Sequence, residues 1–98
     1  MNFIEYGRKT LSCGTVVYSY MYCTGGYLII VRNINTNEEC GTAGVNVPRE
    51  YLFGIMDRLM ESDISPNDSS TFIFNEVHHY FELHPPKAQK AYSNYLYL

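Results

Sequence analysis

The chain has no tryptophan, only three cysteines and four prolines, and no apolar run of membrane-spanning length. Each shortage excludes something. The run Tyr27–Val31 ends at Arg32, whereas a helical span needs about 18 to 20 apolar residues in succession. The stretch from Met1 to Lys9 carries Glu5 among its apolar residues and has no basic start before an apolar core, so a secretory signal is not expected. Cys13, Cys23 and Cys40 are an odd number at wide spacing, without a Cys-x-x-Cys pair, which excludes a zinc ribbon or a thioredoxin-like centre. They are expected to be free thiols in a reducing cytosol, packed as small buried hydrophobes. An oxidising compartment would leave room for one disulfide.

Basic charge is also short. Seven Lys and Arg stand against ten Asp and Glu, for a net charge of −3. Nucleic-acid affinity comes largely from cations that neutralise phosphates, and this chain lacks the surplus. The acids are scattered, so a carboxylate row that could imitate DNA is missing too.

What remains can still build a core. Ninety-eight residues at 46% hydrophobic suit one domain spanning 1–98, because two cores would each be too small. Thr15–Cys23 is mostly β-branched or aromatic, and Tyr27–Asn33 follows after Thr24-Gly25-Gly26, which together read as a β-hairpin. Asn35–Glu38 signals a second turn, and Glu39–Val45 a third strand in which Gly41 and Gly44 mark an edge, a bulge or a close backbone approach. The expected fold is α+β: a small antiparallel sheet, a three-stranded meander plus one further strand, packed on one main helix with a short C-terminal helix.

The main helix is Pro48–Ser62, with Asn46 or Val47 as its cap and Leu52, Ile55, Met56 and Leu59 as its apolar stripe. Pro66-Asn67-Asp68 lies in a loop. Thr71–Leu83 is ambiguous: Phe72-Ile73-Phe74 favours a strand, Asn75-Glu76 a helix. Strand is the preferred reading and would supply the fourth strand. Pro85-Pro86 ends the element, and Lys87–Tyr95 reads as the short C-terminal helix.

Candidate chemistry is sparse. His78, His79 and His84 lie close to Glu76 and Glu82, and as a helix His78 and Glu82 would be one turn apart. No His-Glu-x-x-His or similar ligand spacing accompanies them, so no metal and no other cofactor is expected. The cysteines have no local signature of a nucleophile, and the glycines of Gly25-Gly26 and Gly41–Gly44 lack phosphate-loop spacing. No catalytic residue is assigned.

Tyrosine is the surplus: ten in all. Along the first hairpin strand Val16, Tyr18, Tyr20 and Tyr22 alternate onto one face, and Val17, Ser19, Met21 and Cys23 onto the other. Setting the Val17–Met21 face against the helix leaves Tyr18, Tyr20 and Tyr22 outside. With Tyr27 they form the candidate partner-binding set, since tyrosine is a large, rigid, amphipathic contact residue. The competing reading buries these rings in the sheet's second layer. A base-stacking sheet would need basic flanks that Arg32 alone does not supply.

The expected function is therefore a small, non-enzymatic, cytoplasmic protein that binds another protein by occupying its surface. No motif resembles a particular family. The size, acidity and tyrosine content match in type the inhibitors carried by phages and mobile elements, of the anti-CRISPR or other anti-defence kind. A toxin-immunity protein, a histidine-based metal enzyme and a structural homo-oligomer or homodimer are the alternatives. Neither nucleic acid nor a membrane is expected as a partner.

Overall fold

A computed structural model describes residues 2–85. Four strands, β1 (Ile4–Leu11), β2 (Gly14–Cys23), β3 (Gly26–Asn33) and β4 (Glu39–Val45), form one antiparallel sheet in the order β1-β2-β3-β4. Two helices follow, α1 (Arg49–Glu61) and α2 (Ser69–Leu83), with a 3-10 turn at Pro66–Asp68 between them. The α+β class and the meander are as the sequence implies. The fourth strand is not.

That strand is β1, at the start of the chain, which sequence patterning left unassigned. It pairs with β2 from Ile4 opposite Tyr20 to Leu11 opposite Gly14, with a register shift between Glu5 and Gly7. Residues 71–83, preferred as a strand, are helical. The β-forming run Phe72-Ile73-Phe74 is overridden because helical spacing carries Ser69 and Ile73 into the interior, with Val77 and Tyr80 packed against the core. The Ser69 hydroxyl donates to the Ser65 carbonyl at 3.0 Å, tying the first turn to the preceding loop. The expected C-terminal helix Lys87–Tyr95 lies outside the described residues.

The α1 stripe is the one the periodicity predicts. Leu52, Ile55, Met56 and Leu59 are all fully buried. Each such side chain contributes about 1.5–3 kcal/mol through removal from water. Pro48, rather than Asn46 or Val47, occupies the cap position, where its missing N–H leaves no donor unsatisfied.

The stripe packs on Val16, Tyr18, Ile29, Val31 and Val45. This overturns the expected orientation of β2: its Val16–Tyr18–Tyr20 face turns inward and its Val17–Ser19 face outward. Register explains the choice. Tyr18 stands opposite Val31 and Tyr20 opposite Ile29, so the inward faces of β2 and β3 are continuous. The tyrosine rings are long enough to fill the space between sheet and helices, whereas Val17 and Ser19 are not. β4 is an edge strand with a register irregularity between the pairs Tyr27–Val45 and Ile29–Thr42, and Gly44 sits there at φ 73°. Gly44 thus marks a bulge at an edge, one of the roles its glycines suggest.

Candidate protein-binding surfaces

The first surface is made by α2 and β4. α2 has a wide apolar face, from Phe72, Ile73 and Phe74 to Val77, Tyr80, Phe81 and Leu83, opposite a polar one with Asn75, His78, His79 and Glu82, yet only Ser69 and Ile73 are buried. Phe74 is 67% exposed and Leu83 61%. Beside Phe74 runs the outer edge of β4, where Gly41-Thr42-Ala43 carries no charge. Strand and helix enclose a groove of about 390 Å³ lined by those three residues with Ser70, Thr71 and Phe74. The Thr42 hydroxyl oxygen is buried without a hydrogen-bond partner among the described residues. Edge strands are usually guarded by charge or by a bulge; Gly41–Ala43 carries no charge, and the bulge marked by Gly44 begins beyond Thr42.

The second surface is the face of the sheet turned away from the helices. Its rows follow from the register. Arg8, Val17, Arg32 and Glu39 are successive cross-strand partners, and so are Glu5, Ser19, Ile30 and Gly41. Met21 and Leu28 form the next pair. Phe3 and Ile34 flank the floor and stay exposed, and the residues enclose a shallow concavity of about 440 Å³. The Arg8 guanidinium donates twice to Glu5, at 2.7 and 2.9 Å. That bond holds the Glu5 carboxyl below the usual carboxylate range and lifts Arg8. The Arg32 guanidinium donates to Asn37 Oδ1 at 3.1 Å. On this face the two middle strands carry Val17, Met21, Leu28 and Ile30 together with Arg32, and the outer strands carry Glu5, Arg8 and Glu39.

The candidate tyrosines divide. Tyr18 is 0% exposed, which removes it from any direct contact with a partner. Its hydroxyl finds no hydrogen-bond partner among the described residues, and burial raises its pKa. Tyr20 and Tyr27 are half-buried, with Tyr20 edge-on to both Tyr27 and Phe53. Only Tyr22 is open, at 76% exposure, its ring edge-on to Tyr27 at 5.4 Å. Tyr27 in turn stands opposite Val45, so the Tyr22–Tyr27 pair lies at the C-terminal end of β4. The β4 edge is one of the roles its glycines imply, whereas Phe74 is absent from the candidate set because a strand over residues 71–83 would not set it beside that edge.

The histidines do not converge. His78 and Glu82 approach at 3.8 Å, one turn apart on the exposed side of α2. Among the described residues no three His, Cys, Asp or Glu side chains group as metal ligands. Cys13, expected to be buried, is exposed in the β1–β2 turn, while Cys23 and Cys40 are half-buried, and all three are free thiols. No helix among the described residues is long and apolar enough to cross a membrane. Comparison with protein-family models, curated proteins and solved structures finds no match to this chain.

Proposed function

We propose that this chain is a non-enzymatic protein-binding protein that acts by occupying a partner's surface through the groove between β4 and α2. The observation that carries the reading is Phe74, exposed on α2 beside an uncharged strand edge. An extended partner segment fits this place. Its main chain would continue the sheet at Gly41–Ala43, and an apolar side chain would cover Phe74, the mode known as strand addition. Tyr22 and Tyr27 extend the same aromatic character at the far end of β4. Three thiols without a disulfide suit a reducing cytoplasm. The narrower identity, an inhibitor of the anti-defence or toxin-immunity type, rests on size, acidity and tyrosine content alone.

The test is capture of a stoichiometric partner from host lysate with the wild-type chain and with Phe74→Lys. Phe74 is exposed, so the substitution should change stability by only about 0.5 kcal/mol. Affinity for the partner should fall at least tenfold, as for loss of an aromatic anchor worth about 2 kcal/mol. Undiminished binding by folded Phe74→Lys overturns the site. A reaction lost on changing His78 or Cys13, with the fold intact, overturns the non-enzymatic reading.

A further inference from the structure

The groove between β4 and α2 is uncharged along its lining but acidic at one end. The sequence has no Lys or Arg between Arg32 and Arg49, or between Arg58 and Lys87. Both β4 and α2, with the loops that lead into them, fall inside those two stretches, so neither element brings a cation to the groove. Carboxylates gather where the two elements begin. The Asn67 side chain donates to Glu38 Oε2 at 2.9 Å, which ties the start of β4 to the turn before α2. Asp68 is the next residue of that turn, and Ser70 and Thr71 just beyond it line the groove. Thr71 also lines an adjoining cavity of about 560 Å³, whose charged residues are Asp63 and Asp68. Lys9 stands 3.6 Å from Asp63, whereas Glu38 and Asp68 make none of the ion pairs found among the described residues. Asp68 caps α2 and so offsets the roughly half charge of the helix dipole there, and Glu38 keeps this end negative.

We infer that the partner segment taken by the groove is basic: an extended stretch with a bulky apolar residue on Phe74 and, two or four positions along on the same side, Lys or Arg directed to Glu38 and Asp68. This partner chemistry rests on the strand-addition reading proposed above. The register sets its spacing. Thr42 pairs with Ile29 and Cys40 with Val31, so both share the inward face of the sheet. A side chain added opposite Thr42 meets Phe74 across the groove. The next one on that side lies opposite Cys40, about 7 Å nearer Glu38, within reach of a long basic side chain. Pairing is also directed to the acidic end. The bulge begins beyond Thr42, so a regular ladder extends from Thr42 toward Glu39 and is broken the other way.

The experiment is selection of a random library of linear peptides, each about twelve residues and so longer than β4, on the full chain. Selected peptides should carry Leu, Ile or Phe with Lys or Arg two or four positions away. They should bind Phe74→Ala, which leaves the charge unchanged, at least tenfold more weakly. The double variant Glu38→Gln with Asp68→Asn keeps the hydrogen-bonding groups and a good helix cap but removes both charges. Circular dichroism confirms that each variant is folded. At low salt the double variant should bind a selected peptide about fivefold more weakly than the wild type does. It should also no longer distinguish that peptide from one with its Lys or Arg replaced by Ala. Peptides that depend on Phe74 but show no basic preference overturn the inference and leave the groove as a binding site. So do basic peptides that bind the wild type and the double variant equally. A library that yields no peptide dependent on Phe74 overturns both readings.

Discussion

The Tyr6 hydroxyl on β1 donates a 2.6 Å hydrogen bond to Asp57 Oδ1 on α1, while its ring stacks on Phe53 at 5.2 Å. One residue thus fastens the edge strand to the helix by both a polar and an apolar contact. The bond to Asp57, followed by desolvation, pushes the Tyr6 pKa up to about 12, from an ordinary value of 10.0. A folded-state pKa above the unfolded one means that the native state holds this proton more tightly. The contribution to stability is complete below about pH 10 and is lost as pH rises through about 12. Denaturation midpoints from pH 8 to 12 should therefore fall less steeply in Tyr6→Phe than in the wild type. Identical slopes would show that the bond does not govern this titration.

Tyr18 separates the value of a ring from that of a hydroxyl. Its ring is fully buried, and its oxygen has no partner among the described residues. Tyr18→Phe keeps the packing and removes an unsatisfied polar atom, so stability should be unchanged or rise by up to about 1 kcal/mol. Tyr18→Ser empties the core and should cost about 3–5 kcal/mol, the range for losing a buried aromatic. Urea titrations of the two variants give both numbers. A mild effect of the serine would restore the outward ladder expected from sequence.

Asn33, buried at the end of β3, organises two turns. Its Oδ1 accepts from the backbone N–H groups of Asn35 and Thr36 at 3.0 and 3.2 Å, and its Nδ2 donates to the Cys13 carbonyl at 3.3 Å. Asn33→Leu leaves these backbone groups without their partner, each loss costing about 1–3 kcal/mol where water cannot replace it. A destabilisation of roughly 2–4 kcal/mol is expected, with faster amide exchange at Asn35 and Thr36. Unchanged exchange at both positions would mean that water already serves them.

Two glycines should respond oppositely to alanine. Gly26 sits at φ 136°, and a Cβ there would meet the Val45 carbonyl oxygen at 2.5 Å. The backbone strain alone is about 1–3 kcal/mol, and the clash adds to it, because Val45 is held in β4. At Gly7 the added Cβ would meet Met60 Cε at 2.7 Å, the free end of a flexible side chain that can turn aside. Thermal melts should show a clear loss for Gly26→Ala and a change of less than about 1 kcal/mol for Gly7→Ala. Equal effects would contradict the difference between a fixed and a movable neighbour.

Local pattern was sufficient for several elements. The spacing of Leu52, Ile55, Met56 and Leu59 marks a helix and its buried face together, because a 3.6-residue period leaves only one side for them. The glycines at 25 and 26 and the asparagine-rich turn at 35–38 mark the hairpins, because few residues tolerate those turns. β1 escaped because Glu5, Arg8 and Lys9 break its apolar alternation, as an edge strand's charges do. α2 escaped because Phe72-Ile73-Phe74 is equally at home in a strand, and what decides is the slot left between α1 and β4.

The sequence by itself determined the α+β class, with an alternating tyrosine strand and one clear amphipathic helix. Those are properties of neighbours a few residues apart. Which face of β2 enters the core was decided only in the tertiary structure. Both faces are apolar enough to be buried, and alternation alone cannot rank them. The register with β3 aligns Tyr18 with Val31 and Tyr20 with Ile29 under α1, and long rings bridge that gap where valine and serine would leave voids. The same choice turned Val17, Ile30 and the row from Arg8 to Glu39 outward, so the make-up of the sheet's open face is a consequence of contacts distant in sequence.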